Sequence, residues 1–145
     1  MLLVIAAAFV LTTGCSKCSG EEVDSSSTEI SYKGTNVEKI ELFHFFGERR
    51  CTSCVMLGYL AEESVNTHYA KELSSGLVVF DHINIEEPEN SEIIERYGPT
   101  GSSLWIGIYN ESGFYAEELL APWYMIDDKE KFLGYIKDII DQHLE

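Results

Sequence analysis

Ile40-Glu41-Leu42-Phe43-His44-Phe45-Phe46-Gly47-Glu48-Arg49-Arg50-Cys51-Thr52-Ser53-Cys54 joins an apolar run to a closely spaced pair of cysteines. Residues 39–46 are β-rich and almost continuously apolar, the composition of a strand buried on both faces. After Cys54 the period changes: Leu57, Ala61, Val65, Tyr69 and Leu73 recur every four residues, with Met56, Leu60 and Ser64 beside them. That spacing predicts one long amphipathic helix ending near Ser74-Ser75-Gly76. The Cys-x-x-Cys pair therefore falls where a strand delivers the chain onto the first turn of a helix. A helix N-terminus carries partial positive charge and unpaired backbone N–H groups, so a thiol there ionises below its free value of about 8.5. Arg49 and Arg50 add cationic charge just upstream.

Downstream, strand and helix signals alternate. Residues 77–85 read as a second strand closed by Pro88, followed by a short helix over 89–97 with Gly98 as its C-terminal cap. Residues 104–109 form a third strand, Asn110-Glu111-Ser112-Gly113 a turn, and 114–120 a fourth strand. A last helix begins at Asp127, whose spacing to Glu130 fits a capping box, and buries Phe132, Leu133, Ile136, Ile139, Ile140 and Leu144. Trp123-Tyr124-Met125 reads either as a partner-docking patch or as an aromatic corner packing that helix onto the sheet. Glu86-Glu87-Pro88-Glu89 reads as a solvated acidic loop. His68 and His82 stand isolated in the sequence.

With 145 residues, 45% hydrophobic and 12% aromatic, the chain can bury one ordinary core and not two, so a single folded domain over 37–145 is expected. Its 25 acidic and 10 basic residues give a formal charge of −15, which repels nucleic acid and excludes it as a partner. The same acidity is equally a trait of salt-adapted proteins, and then bears on solubility alone.

The first fourteen residues carry no charge and are too short to span a bilayer, which takes about 20 helical residues. They read as the apolar part of a signal peptide. Leu11-Thr12-Thr13-Gly14-Cys15 is similar to the lipobox of bacterial lipoproteins, in which the Cys is lipidated, although Leu11 stands one place early and a basic leader is missing. Residues 15–36 are Ser-, Glu- and Gly-rich, the composition of a flexible tether. These features imply an extracytoplasmic protein, anchored through Cys15 to the outer face of the cell membrane, or secreted if Cys15 is not lipidated. Cys18 makes a second, formal Cys-x-x-Cys with Cys15. With Cys15 lipidated it is a lone, incidental thiol, and with Cys15 free the two form a labile disulfide.

The order β-α-β-α-β-β-α with Cys-x-x-Cys between the first strand and first helix resembles the thioredoxin-like superfamily, an α/β fold with a central mixed sheet flanked by helices. Two further landmarks are similar: Ile83-Asn84-Ile85-Glu86-Glu87-Pro88 at a strand-to-helix junction, and Tyr97-Gly98-Pro99-Thr100-Gly101 ahead of an apolar strand. The combination Phe46-Gly47-Glu48-Arg49-Arg50-Cys51-Thr52-Ser53-Cys54 with Asn84-Ile85-Glu86-Glu87-Pro88-Glu89-Asn90 resembles the smaller ArsF-type thioredoxin-like family. The resemblance implies dithiol–disulfide exchange through Cys51 and Cys54 without a cofactor, on protein or small-molecule disulfides and dithiols; the tether and an oxidising extracytoplasmic setting add the expectation of a redox partner in or near the membrane.

Departures from the thioredoxin pattern sharpen the expectations. The usual Trp-Cys-Gly-Pro-Cys is Arg50-Cys51-Thr52-Ser53-Cys54, so an aromatic neighbour becomes a cation. The buried acid of thioredoxins, six residues ahead of the first Cys, falls on Phe45, leaving the proton acceptor for the second thiol unfilled. His44 points to the opposite strand face and reads as a satisfied strand histidine more readily than as a base. The cis-proline position falls on Ser103, and since a cis bond without Pro costs about 2.5–4 kcal/mol, a trans or rearranged loop is expected there. Without that proline the cysteines are less shielded from metals. Two other readings of the pair therefore stay open: soft-metal binding or delivery, Cu(I) needing only these two thiolates whereas zinc wants four ligands, and an inert structural disulfide on a binding domain.

Overall fold

The computed structural model describes residues 36–145. The signal segment, the tether up to residue 35, Cys15 and Cys18 lie outside the described residues. Among those described, no helix is long and apolar enough to cross a membrane.

The elements are β1 (Val37–Phe46), α1 (Thr52–His68), α2 (Ala70–Ser75), β2 (Val78–Asn84), α3 (Ser91–Tyr97), β3 (Ser103–Asn110), β4 (Gly113–Glu118) and α4 (Lys129–Leu144). Short 3₁₀ turns at Pro88–Asn90 and Ala121–Tyr124 lead into α3 and α4. The sheet order is β2-β1-β3-β4. β1 pairs in parallel with β2 and antiparallel with β3, and β3 pairs antiparallel with β4. This is the thioredoxin-like arrangement, a mixed sheet between helices.

Both faces of β1 are covered, which is why its sequence is apolar without alternation. Ile40 and Leu42 pack with Leu57, Leu60, Ala61 and Val65 of α1 and with Phe132, Ile136 and Ile140 of α4. Phe43 and Phe45 point the other way, into a smaller cluster with Ile83 and Tyr97. Glu41, the charged residue within the run, is buried and satisfied: Tyr97 donates to its Oε2 at 2.7 Å, Tyr109 to the same oxygen at 3.1 Å, and Lys39 to Oε1 at 2.6 Å. Gly107 on β3 makes room for this network, because a Cβ there would overlap the Tyr97 hydroxyl.

Local details depart from the periodic pattern where tertiary contacts intervene. The predicted long helix breaks at Tyr69, whose backbone leaves helical geometry at φ −128° and ψ 30°. Its buried hydroxyl is tied to α4, donating to Lys137 O at 2.8 Å and to Asp141 Oδ1 at 2.6 Å, and α2 restarts at Ala70. The cap of α4 is Asp128, one residue later than expected, its side chain accepting from the Lys131 N–H at 3.1 Å. Phe132, Ile136 and Ile140 are fully buried, while Leu133, Ile139 and Leu144 are only partly so. Gly98 caps α3 in the left-handed region at φ 73°, as its position in the sequence implies. The aromatic corner divides: Trp123 and Met125 pack against the main core, and Tyr124 stays 89% exposed.

Candidate active site at the Cys51–Cys54 turn

Cys51 is the N-cap of α1, in extended geometry at φ −79° and ψ 162°, and its Sγ accepts the Cys54 N–H at 3.0 Å. The two cysteines are joined as a disulfide, with Cα atoms 5.0 Å apart. Cys51 is exposed and Cys54 half-buried. The first turn of α1 carries no acidic residue, and nothing on it opposes a developing thiolate.

The loop entering this turn is tied down at two points. The Glu48 N–H donates to Glu86 Oε1 at 3.1 Å, so part of the acidic loop holds the cysteine approach rather than simply being solvated. The Arg50 guanidinium lies 3.5 Å from the centroid of the Phe46 ring, a cation–π contact that keeps its charge beside the turn. Arg49 is exposed. Ser103 opens β3 opposite Phe45, in a chain with no cis peptide bond among the described residues, as the missing proline leads one to expect. Its hydroxyl donates to Gly101 O at 3.1 Å and accepts from Trp105 Nε1 at 3.0 Å, bonds that lead to the β3 strand and not to the cysteines.

The inner wall of the site was hidden in the sequence. His44 shares the β1 face of Ile40 and Leu42 and lies under α1, only 1% exposed. Gly58 makes this possible, since a Cβ there would overlap three atoms of the imidazole. The ring lies 5.9 Å from Phe46 at an interplanar angle of 23° and 5.2 Å from His82 at 90°. His44 Nδ1 is 3.0 Å from His82 Nδ1, and His82 Nε2 is 3.4 Å from Glu62 Oε2. His82 is thus not isolated: the parallel register of β1 and β2 sets it directly beside His44. Nor is His44 fully satisfied, because its Nε2 is buried without a hydrogen-bond partner. Phe45, where the resemblance looks for an acid, packs on the far face of the sheet. His44, Phe46, Glu62 and His82, with Arg50, Val55 and Tyr59, line an open cleft of about 270 Å³ next to the cysteine turn.

Burial pushes the His44 imidazole down from 6.5 to about 4, with the neighbouring charges of His82 and Arg50 adding to it and the Cys54 backbone acting in the opposite direction. Between these values the unfolded chain binds a proton that the folded one does not, so stability rises with pH across that window and is lost on acidification from 6.5 towards 4. The full effect is on the order of 3 kcal/mol. Urea unfolding followed at pH values across the upper part of this window should show the slope in the native sequence and a flatter dependence in His44→Leu.

Among the described residues no cluster of three or more His, Cys, Asp or Glu side chains is placed to hold a metal ion, so a zinc site of the usual ligand number is not assembled. The two-thiolate version rests on Cys51 and Cys54 alone, bonded here to each other.

The sheet order, the pairing directions and the disulfide at the start of α1 together define a thioredoxin-like domain carrying a Cys-x-x-Cys pair. No family model matches this chain, and no curated protein does. Among solved structures it is similar to a thioredoxin from Thermus thermophilus, at 15% identity over 72% of this chain and 76% of that one, with a TM-score of 0.48. It is also similar to the first two thioredoxin domains of Naumovozyma dairenensis Eps1p, at 18% identity over 82% of this chain and 41% of that one, with a TM-score of 0.42.

Proposed function

We propose that the chain is a thiol–disulfide oxidoreductase, exchanging disulfides through Cys51 and Cys54. The observation that carries this reading is the exposed Cys51 at the N-cap of α1, its sulfur accepting a backbone N–H, with the half-buried Cys54 one turn on. The donated hydrogen bond and the helix dipole both favour negative charge on that sulfur. In the reducing direction the Cys51 thiolate attacks one sulfur of a partner disulfide, whose other sulfur leaves as a thiolate. Cys54 then loses its proton and attacks Cys51 Sγ, releasing the second partner thiolate and leaving the disulfide seen here. Two electrons pass from the cysteine pair to the partner, and the reverse sequence oxidises a dithiol.

Arg50 and Arg49 supply positive charge at the entry to the turn, and Ser103 replaces the proline of the facing loop. The Phe46-to-Cys54 pattern supports placement in the ArsF-type branch of the thioredoxin-like superfamily. The N-terminal pattern supports lipidation at Cys15 and an extracytoplasmic, membrane-tethered location, which brings membrane-borne redox partners within reach of a swinging domain. Mass spectrometry of the N-terminal peptide from membrane fractions should find a diacylglyceryl group on Cys15. An unmodified Cys15 in a soluble fraction would replace the anchored location with a secreted one.

The activity itself is tested by equilibrating the purified chain in defined glutathione buffers and scoring Cys51 and Cys54 by alkylation mass spectrometry. A reversible two-electron couple between about −270 and −120 mV is expected, the low end marking a reductase and the high end an oxidase. A pair that never exchanges would leave an inert structural disulfide in its place.

A further inference from the structure

We propose that the cleft beside the cysteine turn seats one half of a small disulfide that carries carboxylates, and that Arg50 and Arg49 select it by its negative charge. This assignment rests on the oxidoreductase reading above and names its substrate class. It starts from where the positive charge lies. In a chain with a formal charge of −15, Lys39, Arg96, Lys129 and Lys137 each hold a carboxylate. Arg49 and Arg50 do not: they are consecutive, both exposed, and in no ion pair among the described residues. Lys71 and Lys131 also lack one, but each stands singly, on α2 and α4. Arg50 instead lies over the Phe46 ring, a contact that fixes the guanidinium without using its N–H donors. Two free cations side by side at the mouth of the disulfide suit a carboxylate, which a guanidinium can grip with two parallel hydrogen bonds.

The cleft supplies the rest of the seat. Arg50 immediately precedes Cys51 and Val55 immediately follows Cys54, and both line it, so it opens along the cysteine turn. Phe46, Val55 and Tyr59 give it an apolar wall, with Val55 48% and Tyr59 55% exposed and therefore open to a ligand. Its volume of about 270 Å³ has room for one half of a small disulfide and not for a folded partner. The acidic groups nearby are accounted for. Glu62, the carboxylate lining the cleft, lies 3.4 Å from His82 Nε2, Glu86 accepts the Glu48 N–H, and the first turn of α1 has no acid. Exposed Glu48 is the remaining carboxylate of the approach loop. Screening at physiological salt acts over about 8 Å, so a small anion responds to the two arginines and little to the rest of the surface. An acidic protein would meet that negative surface across its whole contact, which is why the substrate assigned here is small.

In the reaction the Cys51 thiolate attacks the sulfur of the half seated in the cleft. The bond from Cys51 Sγ to that sulfur forms, the substrate S–S bond breaks, and the other half leaves as a thiolate. Cys54 then gives its proton to solvent and attacks Cys51 Sγ, releasing the seated half. The substrate gains two electrons and departs as two carboxylate-bearing thiols, and the chain keeps the Cys51–Cys54 disulfide.

The test mixes the reduced full-length chain with three reagents: dithiodipropionate, a dianion; bis(hydroxyethyl) disulfide, which is uncharged; and cystamine, a dication. Formation of the internal disulfide is followed by acid quench and mass spectrometry. Each variant's rate is divided by the native rate with the same reagent, which removes the differing leaving abilities of the three thiols. The loss with the uncharged reagent then measures what the missing charge does to the Cys51 thiolate alone. In the double variant Arg49→Gln, Arg50→Gln the dianion should lose about tenfold more than the uncharged reagent, the size expected of two exposed ion pairs, and the dication should lose less than it. The gap should close in about 0.5 M salt. Tyr59→Glu puts a carboxylate on the cleft wall and leaves both arginines in place, and should lower the dianion rate about threefold relative to the uncharged reagent. A dianion-to-uncharged ratio that stays at the native value in either variant would overturn the assignment while leaving exchange intact. A native chain that reacts with none of the three reagents would overturn the exchange reading and this assignment together.

Discussion

Serine at Cys51 is expected to abolish disulfide exchange, lowering the rate by on the order of 1,000-fold or more, because the hydroxyl that replaces the thiol is neither ionised nor able to form the mixed disulfide. Serine at Cys54 should have a different signature. The exposed Cys51 would still attack, but with no second thiol to release it the partner would accumulate on Cys51 in a one-to-one adduct. The structural basis is the asymmetry of the pair: Cys51 caps the helix at the surface, and Cys54 is half-buried one turn on. Intact-mass measurements after mixing each variant with a disulfide substrate separate the two outcomes. An adduct trapped on Cys54 in the Cys51→Ser variant would exchange the roles of the two sulfurs.

Phe132→Ala should produce the largest loss of stability, about 3–5 kcal/mol, as is typical of a large buried aromatic truncated in place. Phe132 is fully buried where α4 meets α1 and the sheet. Domains of this size are stable by about 5–15 kcal/mol, so the variant would keep only part of its margin. The damage would extend to the active turn, since α1 carries both cysteines and packs against α4. A urea midpoint shifted downward with an unchanged slope would identify the effect as lost packing. Tyr124→Ala, at a residue 89% exposed, should by contrast change stability by less than about 0.5 kcal/mol. A Phe132→Ala loss below about 1 kcal/mol would mean that α4 contributes little to the core.

Much of this protein was legible along the chain. The change of period on either side of Cys51 marked a strand feeding a helix, and the structure has β1 ending at Phe46 and α1 starting at Thr52. The order of strands and helices followed from the same reading, as did the cap at Gly98. Errors appeared where a distant contact outweighed the local pattern. Tyr69 fits the four-residue repeat, yet its hydroxyl bonds α4 and the helix breaks there. Asp127 and Asp128 are adjacent candidates for one cap, and the register of α4 against the core selects Asp128.

The candidate site divides in the same way. Cys51, Cys54 and the arginines beside them lie within a few residues of each other, so their arrangement is set by local backbone geometry and could be read from the string. His44, Gly58, Glu62 and His82 are spread over thirty-nine positions, and no motif links them. Counting back from Cys51 pointed to Phe45, one residue away on the wrong face of β1. In a strand a single step reverses the side chain, so only the packing of the sheet decides which neighbour faces α1. The sequence by itself determined the elements and the place of the cysteine pair, because helix period, caps and a Cys-x-x-Cys spacing depend on short-range interactions. Tertiary structure alone decided that two separated histidines meet beneath α1, because strand register and the absence of a side chain at Gly58 are expressed only when β1, β2 and α1 pack together.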